Sequence, residues 1–250
     1  MGACCIQYVL LLSLLGFFPC SDTLTCQEGS MIRMGNDLMK KAVLWREKKT
    51  MITMGEEMCQ EVFLLINVGE KSVIIGSKGA STVRHRNVRN ITVFSRGPGI
   101  MIINFYHVCD FDLCNTVNSS RVLLDSLPRV APPVPGNAQC RVCLNFKGAC
   151  NHKSKLVFCP RGTRCYNTEL VLQGGGISAV ISISGCLFYP QKLLFKNQSS
   201  IGTISIKETR LPSKTINLFS HVLVPGTLPA WMLGLRALLS PLCAGICPLC

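Results

Sequence analysis

Two stretches of the chain carry the pattern of a β-hairpin. Residues 62–68 read Val-Phe-Leu-Leu-Ile-Asn-Val, Gly69-Glu70 supplies a turn, and Ser72-Val73-Ile74-Ile75 resumes the apolar run. Residues 169–172, the glycines Gly174-Gly175-Gly176 and residues 177–184 repeat the arrangement. Short runs rich in branched apolar side chains, bounded by glycine, are strand signals, and a tight glycine turn between two of them predicts a hairpin. Ser178, Ser182 and Ser184 alternate in part with apolar residues, as expected of a half-exposed strand. The expected class is all-β, and Phe63, Phe94, Phe105, Tyr106 and Tyr166 are assigned to strand packing.

Between the two hairpins the pattern stops. Residues 125–136 hold Pro128, Pro132, Pro133, Pro135 and Gly136 with no strand or helix period, which reads as a semi-rigid linker. The expected domains are therefore 24–124 and 137–212. Residues 8–18 are uninterruptedly apolar, too short to span a bilayer, and are followed by the small residues Ser21 and Thr23. This is the form of a secretory signal peptide, expected over 1–23. In residues 228–250 only Arg236 is charged, and Pro229, Pro241 and Pro248 interrupt the run. A central arginine costs a membrane helix about 2.5–3.5 kcal/mol, and the prolines break it. A GPI-anchor signal over 213–250 fits better, with Ser213, Asn217, Ser220 and Gly226 all conceivable attachment points. Secretion without an anchor is the alternative.

The formal net charge is +13, and apart from Asp22 in residues 1–23 and Arg236 in residues 228–250 all charged residues lie between those two stretches. Outside the cell such a balance points to acidic glycans, sialylated partners or anionic membrane surfaces, and the leader argues against nucleic acid. The densest basic stretches are Lys40-Lys41, Lys48-Lys49 and Arg84-His85-Arg86 with Arg89; solvated loop faces explain them equally well. Asn90, Asn118 and Asn197 each open an N-x-S/T sequon and are candidate glycosylation sites.

Of sixteen cysteines, Cys4, Cys5 and Cys20 fall in the expected leader and Cys243, Cys247 and Cys250 in the expected tail. Ten remain, an even number, as a fully oxidised secreted protein requires. A zinc site from Cys140, Cys143, Cys159, Cys165 and His152 would need thiolates that an oxidising compartment removes. The Cys140-x2-Cys143 pair lacks a thioredoxin-like context. His85, His107, His152 and His221 are scattered, and no G-x-S-x-G context exists. Glu56-Glu57 and Asp110/Asp112 are too close in sequence for a glycosidase pair. The triple glycine lacks the GK[ST] ending of a phosphate cradle. No enzyme, cofactor or metal is expected; binding is the default, on a surface the sequence does not locate.

The second cysteine group, Cys-x2-Cys-x6-Cys-x8-Cys-x5-Cys-x20-Cys from Cys140 to Cys186, resembles the Ly6/uPAR domain, a three-finger fold. So does Cys109-Asp110-Phe111-Asp112-Leu113-Cys114-Asn115, the motif with which family domains close, whose Asn ties the finger bases together. The resemblance implies two small disulfide-stapled three-finger domains. It implies the pairs Cys26–Cys59 and Cys109–Cys114 in the first domain, and Cys140–Cys165, Cys143–Cys150 and Cys159–Cys186 in the second. The first lacks one family bridge, whose places fall near Thr53 and at Ala80, so it is expected to be the looser. The second lacks the closing Cys-x4-Cys-Asn, so its last finger is expected to be held by packing alone. With residues 201–207 before the tail, this form resembles the two-domain, GPI-anchored testis and sperm-surface subgroup. That implies a non-enzymatic protein on the outer face of the cell membrane, acting on another membrane or extracellular protein in sperm maturation, adhesion or fertilisation. The alternatives are a secreted two-domain phospholipase A2 inhibitor and a glycan-binding module resting on Arg84, Arg86 and Arg89.

Overall fold

The computed structural model describes residues 23–82, 87–128, 133–150, 153–196, 198–212 and 216–217. Fourteen strands and one helical turn are present among them. They are β1 (Thr25–Gln27), β2 (Gly29–Gly35), β3 (Thr50–Ile52), β4 (Met58–Val68), β5 (Lys71–Ser81), β6 (Val88–Arg96) and β7 (Ile100–Cys109). After α1 (Arg121–Leu124) come β8 (Pro135–Phe146), β9 (Lys155–Pro160), β10 (Arg164–Gly174), β11 (Ile177–Leu187), β12 (Ser200–Ile201), β13 (Ile204–Arg210) and β14 (Ile216–Asn217). No helix among the described residues is long and apolar enough to cross a membrane.

The first sheet has the order β2-β5-β4-β7-β6, all antiparallel. The β4–β5 hairpin turns on Gly69-Glu70, with Val68 opposite Lys71, and both strands extend well beyond the apolar runs that predict them. Side chains alternate between faces along a strand. Val62, Leu64 and Ile66 of β4, Val73 and Ile75 of β5, and Ile100 and Ile102 of β7 point one way. Phe63, Leu65, Ile74, Met101, Ile103 and Phe105 point the other. Both faces are covered, which is why residues 62–68 read as a nearly continuous apolar run.

The second face is roofed by loops. Trp45 N–H donates to the Asn118 carbonyl at 2.7 Å, Val43 N–H to Ser120 Oγ at 2.9 Å, and α1 inserts the fully buried Leu123. Gly76 permits this roof, because a Cβ there would stand 2.6 Å from the Trp45 ring.

The second sheet runs β12-β13-β10-β11-β8, with β9 also paired to β8. Gly174 pairs with Ile177 across a two-residue turn, and Gly175 and Gly176 both have positive φ, 57° and 74°. A tight turn of that kind demands glycine-like freedom at both central positions, so turn chemistry accounts for the triple glycine. Ser178 is exposed as expected, but Ser182 and Ser184 are buried, at the end of β11 that is flanked by β8 on one side and β10 on the other.

The two sheets lie face to face. Tyr166, Leu170, Leu172, Ile177, Ile181, Ile183, Ile204 and Ile206 of the second pack against the first face of β4, β5 and β7 in one core. The glycine turn is tied down as well: Ser77 Oγ donates to the Gly175 carbonyl at 2.8 Å and Ser30 Oγ to the Gly176 carbonyl at 2.9 Å. Gln60 Nε2 donates to Thr203 Oγ1. The described residues up to Ile216 belong to one compact unit.

The last finger is held by more than packing, contrary to the expectation for residues beyond Cys186. Strand β13 pairs with β10 from Thr168↔Arg210 to Gln173↔Ser205, and the Glu208 carboxylate gathers four donors. A full ladder and a charged acceptor replace the absent bridge.

Candidate interaction surface

Among the described residues, five disulfides staple the strand bases. They join Cys26 to Cys59, Cys109 to Cys114, Cys140 to Cys165, Cys143 to Cys150 and Cys159 to Cys186. Buried Asn115 acts as a clasp: its Nδ2 donates to the carbonyls of Gln27 (2.9 Å) and Gln60 (3.0 Å), and its Oδ1 accepts from Gln27 N–H at 2.9 Å. One side chain thus joins β1 to β4. Met51 and Ala80 pack against the Cys26–Cys59 and Cys109–Cys114 cluster, and Thr53 Oγ1 accepts from Leu24 N–H at 2.7 Å. The sulfurs of Cys140, Cys159 and Cys186 lie within 4.8 Å of one another, but all three are consumed by disulfides and offer no thiolate to a metal.

Under the Trp45 roof sits a charged cluster that the sequence did not announce. Lys78 Nζ lies 3.7 Å from Glu61 Oε2, and both side chains are fully buried. The ammonium also donates to Gln27 Oε1 (2.7 Å) and the Asn115 carbonyl (2.9 Å), and faces the Trp45 ring at 5.3 Å. Glu61 Oε2 accepts from Val117 N–H, and His107 Nδ1 is 2.9 Å from Glu61 Oε1. Burial pushes the Lys78 pKa down, and the Glu61 carboxylate pulls it partly back. The available signal was Gln60-Glu61 abutting an apolar run, which places a carboxylate on a strand otherwise buried on both faces. With the Lys78 and Glu61 side chains wholly buried, the cluster reads as a structural latch between sheet and roof.

Glu208 is the corresponding device in the second sheet. Its Oε1 accepts from Tyr166 O–H at 2.6 Å, Thr168 Oγ1 at 3.3 Å and Leu194 N–H at 3.2 Å, and its Oε2 from Phe195 N–H at 2.9 Å. Burial, and after it the neighbouring carboxylate, push the Tyr166 phenol far above its ordinary value. The unfolded chain ionises this phenol near pH 10, about its reference value, while the folded chain keeps it neutral. Stability contributed by Tyr166 is therefore intact below pH ~10 and is lost as pH rises beyond it, at up to about 1.4 kcal/mol per pH unit. Urea midpoints between about pH 9 and 11 should fall more steeply for the wild type than for Tyr166→Phe; equal slopes would place the phenol in water.

Among the clefts along the seam between the sheets, two combine apolar walls with several cationic side chains. One, of about 410 Å³, has Val68, Val142, Leu144 and Val157 in its walls and Lys71, Lys153 and Lys155 among its lining residues. Lys155 there pairs with Glu70 at 3.1 Å. The other, of about 690 Å³, lies between the end of β6 and the segment after β11. Its β6 wall is shaped by a bulge: the β6–β7 register shifts between Val93 and Ser95, and Phe94 meets Phe195 at a tilt with ring centroids 4.7 Å apart. A bulge re-aims a side chain in this way. Leu187, Phe188, Tyr189 and Leu193 form the opposite wall, and Arg96, Lys192 and Lys196 complete the lining.

The other residues singled out in the sequence are dispersed. Asn90 is exposed on the edge strand β6, Asn118 is exposed on the roof, and Asn197 lies outside the described residues. Arg89 faces the Phe105 ring at 5.4 Å, while Arg84, His85, Arg86, His152, His221 and residues 1–22, 213–215 and 218–250 lie outside the described residues. Lys49 pairs with Glu28 at 2.9 Å. Phe63, Phe105 and Tyr166 are core, and Phe94 and Tyr106 are half-buried against it.

No protein-family model matches the chain. Over 237 residues it is 41% identical to CD177 antigen of Mus musculus, which is 93% of this chain and 29% of that protein. The chain thus spans less than a third of that relative's length. It is 30% identical over 217 residues to testis-expressed protein 101 of Mus musculus, covering 84% of each chain. To Ly6/PLAUR domain-containing protein 4 of Bos taurus it is 24% identical over 92% of this chain and 94% of that one. The crystal structure of mouse TEX101 matches the fold with a TM-score of 0.63 at 24% identity, over 77% of this chain and 99% of that one. Disulfide-stapled β-sheets, the Asn115 clasp and these relatives agree: the chain belongs to the Ly6/uPAR family of non-enzymatic cell-surface proteins.

Proposed function

We propose that this chain is a GPI-anchored protein of the male germ-cell surface that acts by binding another membrane or extracellular protein, in sperm-surface maturation, adhesion or fertilisation. The observation that carries the reading is its likeness to testis-expressed protein 101 over 84% of both chains. In this reading residues 1–23 are a signal peptide, 24–124 and 137–212 the two Ly6/uPAR-like domains on either side of the 125–136 linker, and 213–250 the anchor signal. Asn90, Asn118 and Asn197 carry glycans, and the exposed positions of Asn90 and Asn118 suit that role. The seam, where both sheets contribute walls, is the surface through which the pair acts as one binder.

Phosphatidylinositol-specific phospholipase C applied to transfected mammalian cells tests the anchor. Surface protein that is released by the lipase and shortened by glycosidase is the expected result. Protein found only in the medium overturns the anchor and favours a secreted binder. Surface protein that resists the lipase transfers membrane attachment to residues 228–250 themselves.

A further inference from the structure

We propose that the 690 Å³ cleft between β6 and the segment after β11 is the docking site for an acidic, aromatic-bearing segment of the partner protein. This rests on the reading of the chain as a protein binder and names the surface and the chemistry it fits. Phe188, Tyr189 and Leu193 are 44, 63 and 43% exposed and lie together along one wall of the cleft, a contiguous apolar patch. Exposed apolar patches rimmed by polar groups mark interaction sites.

The rim is of one sign. Arg96, Lys192 and Lys196 line the cleft, no carboxylate does, and none of the three cations forms an ion pair among the described residues. The Lys192 ammonium lies 5.2 Å over the Tyr189 ring, so one cation is already held beside the aromatic floor. A complementary ligand therefore brings negative charge at its edges and an apolar or aromatic side chain at its centre. The β6 wall is also the outer edge of its sheet, where an extended segment finds free backbone groups.

The lining favours protein over sugar. Recognition of sugar hydroxyls calls for side-chain acceptors, yet the cleft has no carboxylate and no carboxamide. The Ser95 hydroxyl is already donated to the Ile100 carbonyl at 2.6 Å.

The test uses the full chain made in mammalian cells, taken from the medium or released by lipase, so that its outcome does not depend on the anchor. The probe is a fluorescein-labelled Glu-Phe-Glu-Glu-Phe-Glu amide, compared with its Lys-for-Glu and Ser-for-Phe counterparts and with sialyllactose. Wild-type protein should bind the acidic aromatic peptide saturably and release it as salt is raised. The R96E/K192E/K196E variant should bind it at least about tenfold more weakly, a tenfold step being about 1.4 kcal/mol, and should gain affinity for the lysine peptide. The F188S/L193S variant should lose the preference for Phe over Ser. All five positions are exposed, so unchanged thermal midpoints would show that the variants fold. Absence of saturable binding by the wild type, or equal binding by the charge-reversed variant, overturns the proposal. Charge-dependent binding of sialyllactose in place of the peptide overturns it in favour of a glycan. A protein that binds the peptide but is never displayed on cells would refute the anchored reading alone.

Discussion

Replacing Glu61 with glutamine should destabilise the protein by about 3–5 kcal/mol, the cost of leaving a buried charge without its counter-charge. The carboxylate and the Lys78 ammonium are both wholly buried and 3.7 Å apart. With a neutral side chain at 61, the ammonium keeps Gln27 and the Asn115 carbonyl but faces no negative charge at that distance. Burial already disfavours the charged lysine, and Glu61 is the largest influence opposing that. The double variant Glu61→Gln, Lys78→Met should recover most of the loss, because removing both charges removes the desolvation cost as well. Denaturant melts of the wild type and the two variants measure this directly. A single variant within about 1 kcal/mol of the wild type would mean that water reaches the cluster, since exposed pairs are worth no more than that.

The second large effect is expected at Glu208. Its two oxygens accept from a phenol, a hydroxyl and the backbone amides of Leu194 and Phe195. Alanine there strands the phenol and the two amides, while Thr168 keeps the Thr209 carbonyl at 3.0 Å, and hydrogen bonds to a charged group are worth about 1.5–3 kcal/mol each with incomplete additivity. A loss on the order of 3–5 kcal/mol follows, with glutamine intermediate because it keeps one oxygen acceptor. The consequence reaches the seam cleft, since Leu194 lines it and Phe195 packs against Phe94. Hydrogen exchange should therefore accelerate first at the amides of residues 194 and 195. Unchanged protection there, with stability lost elsewhere, would show that Glu208 serves only the β10–β13 ladder.

Much of the architecture was legible before any coordinates, for reasons that are local. Turn chemistry at Gly69-Glu70 and Gly175-Gly176 depends on residues adjacent in sequence, so both hairpins could be placed. The cysteine framework and the Cys-Asn ending at Asn115 belong to a family pattern, and it was that resemblance, not spacing, that pointed to particular partners for each cysteine. Burial of Ser182 and Ser184 does not follow from alternation, because alternation along one strand cannot report that β8 flanks only that end of it.

By itself, then, the sequence determined the β class and the two hairpins, since each rests on short-range patterns. Only the tertiary structure decided that the two sheets share one core, that Ser77 holds a turn 98 positions away, and that Glu61, Lys78 and His107 meet under Trp45. The same holds for the cleft, whose walls come from residues 93–97 and 187–196. Contacts at such separations depend on how two twisted sheets register against each other, and no stretch of chain a few residues long encodes that relation.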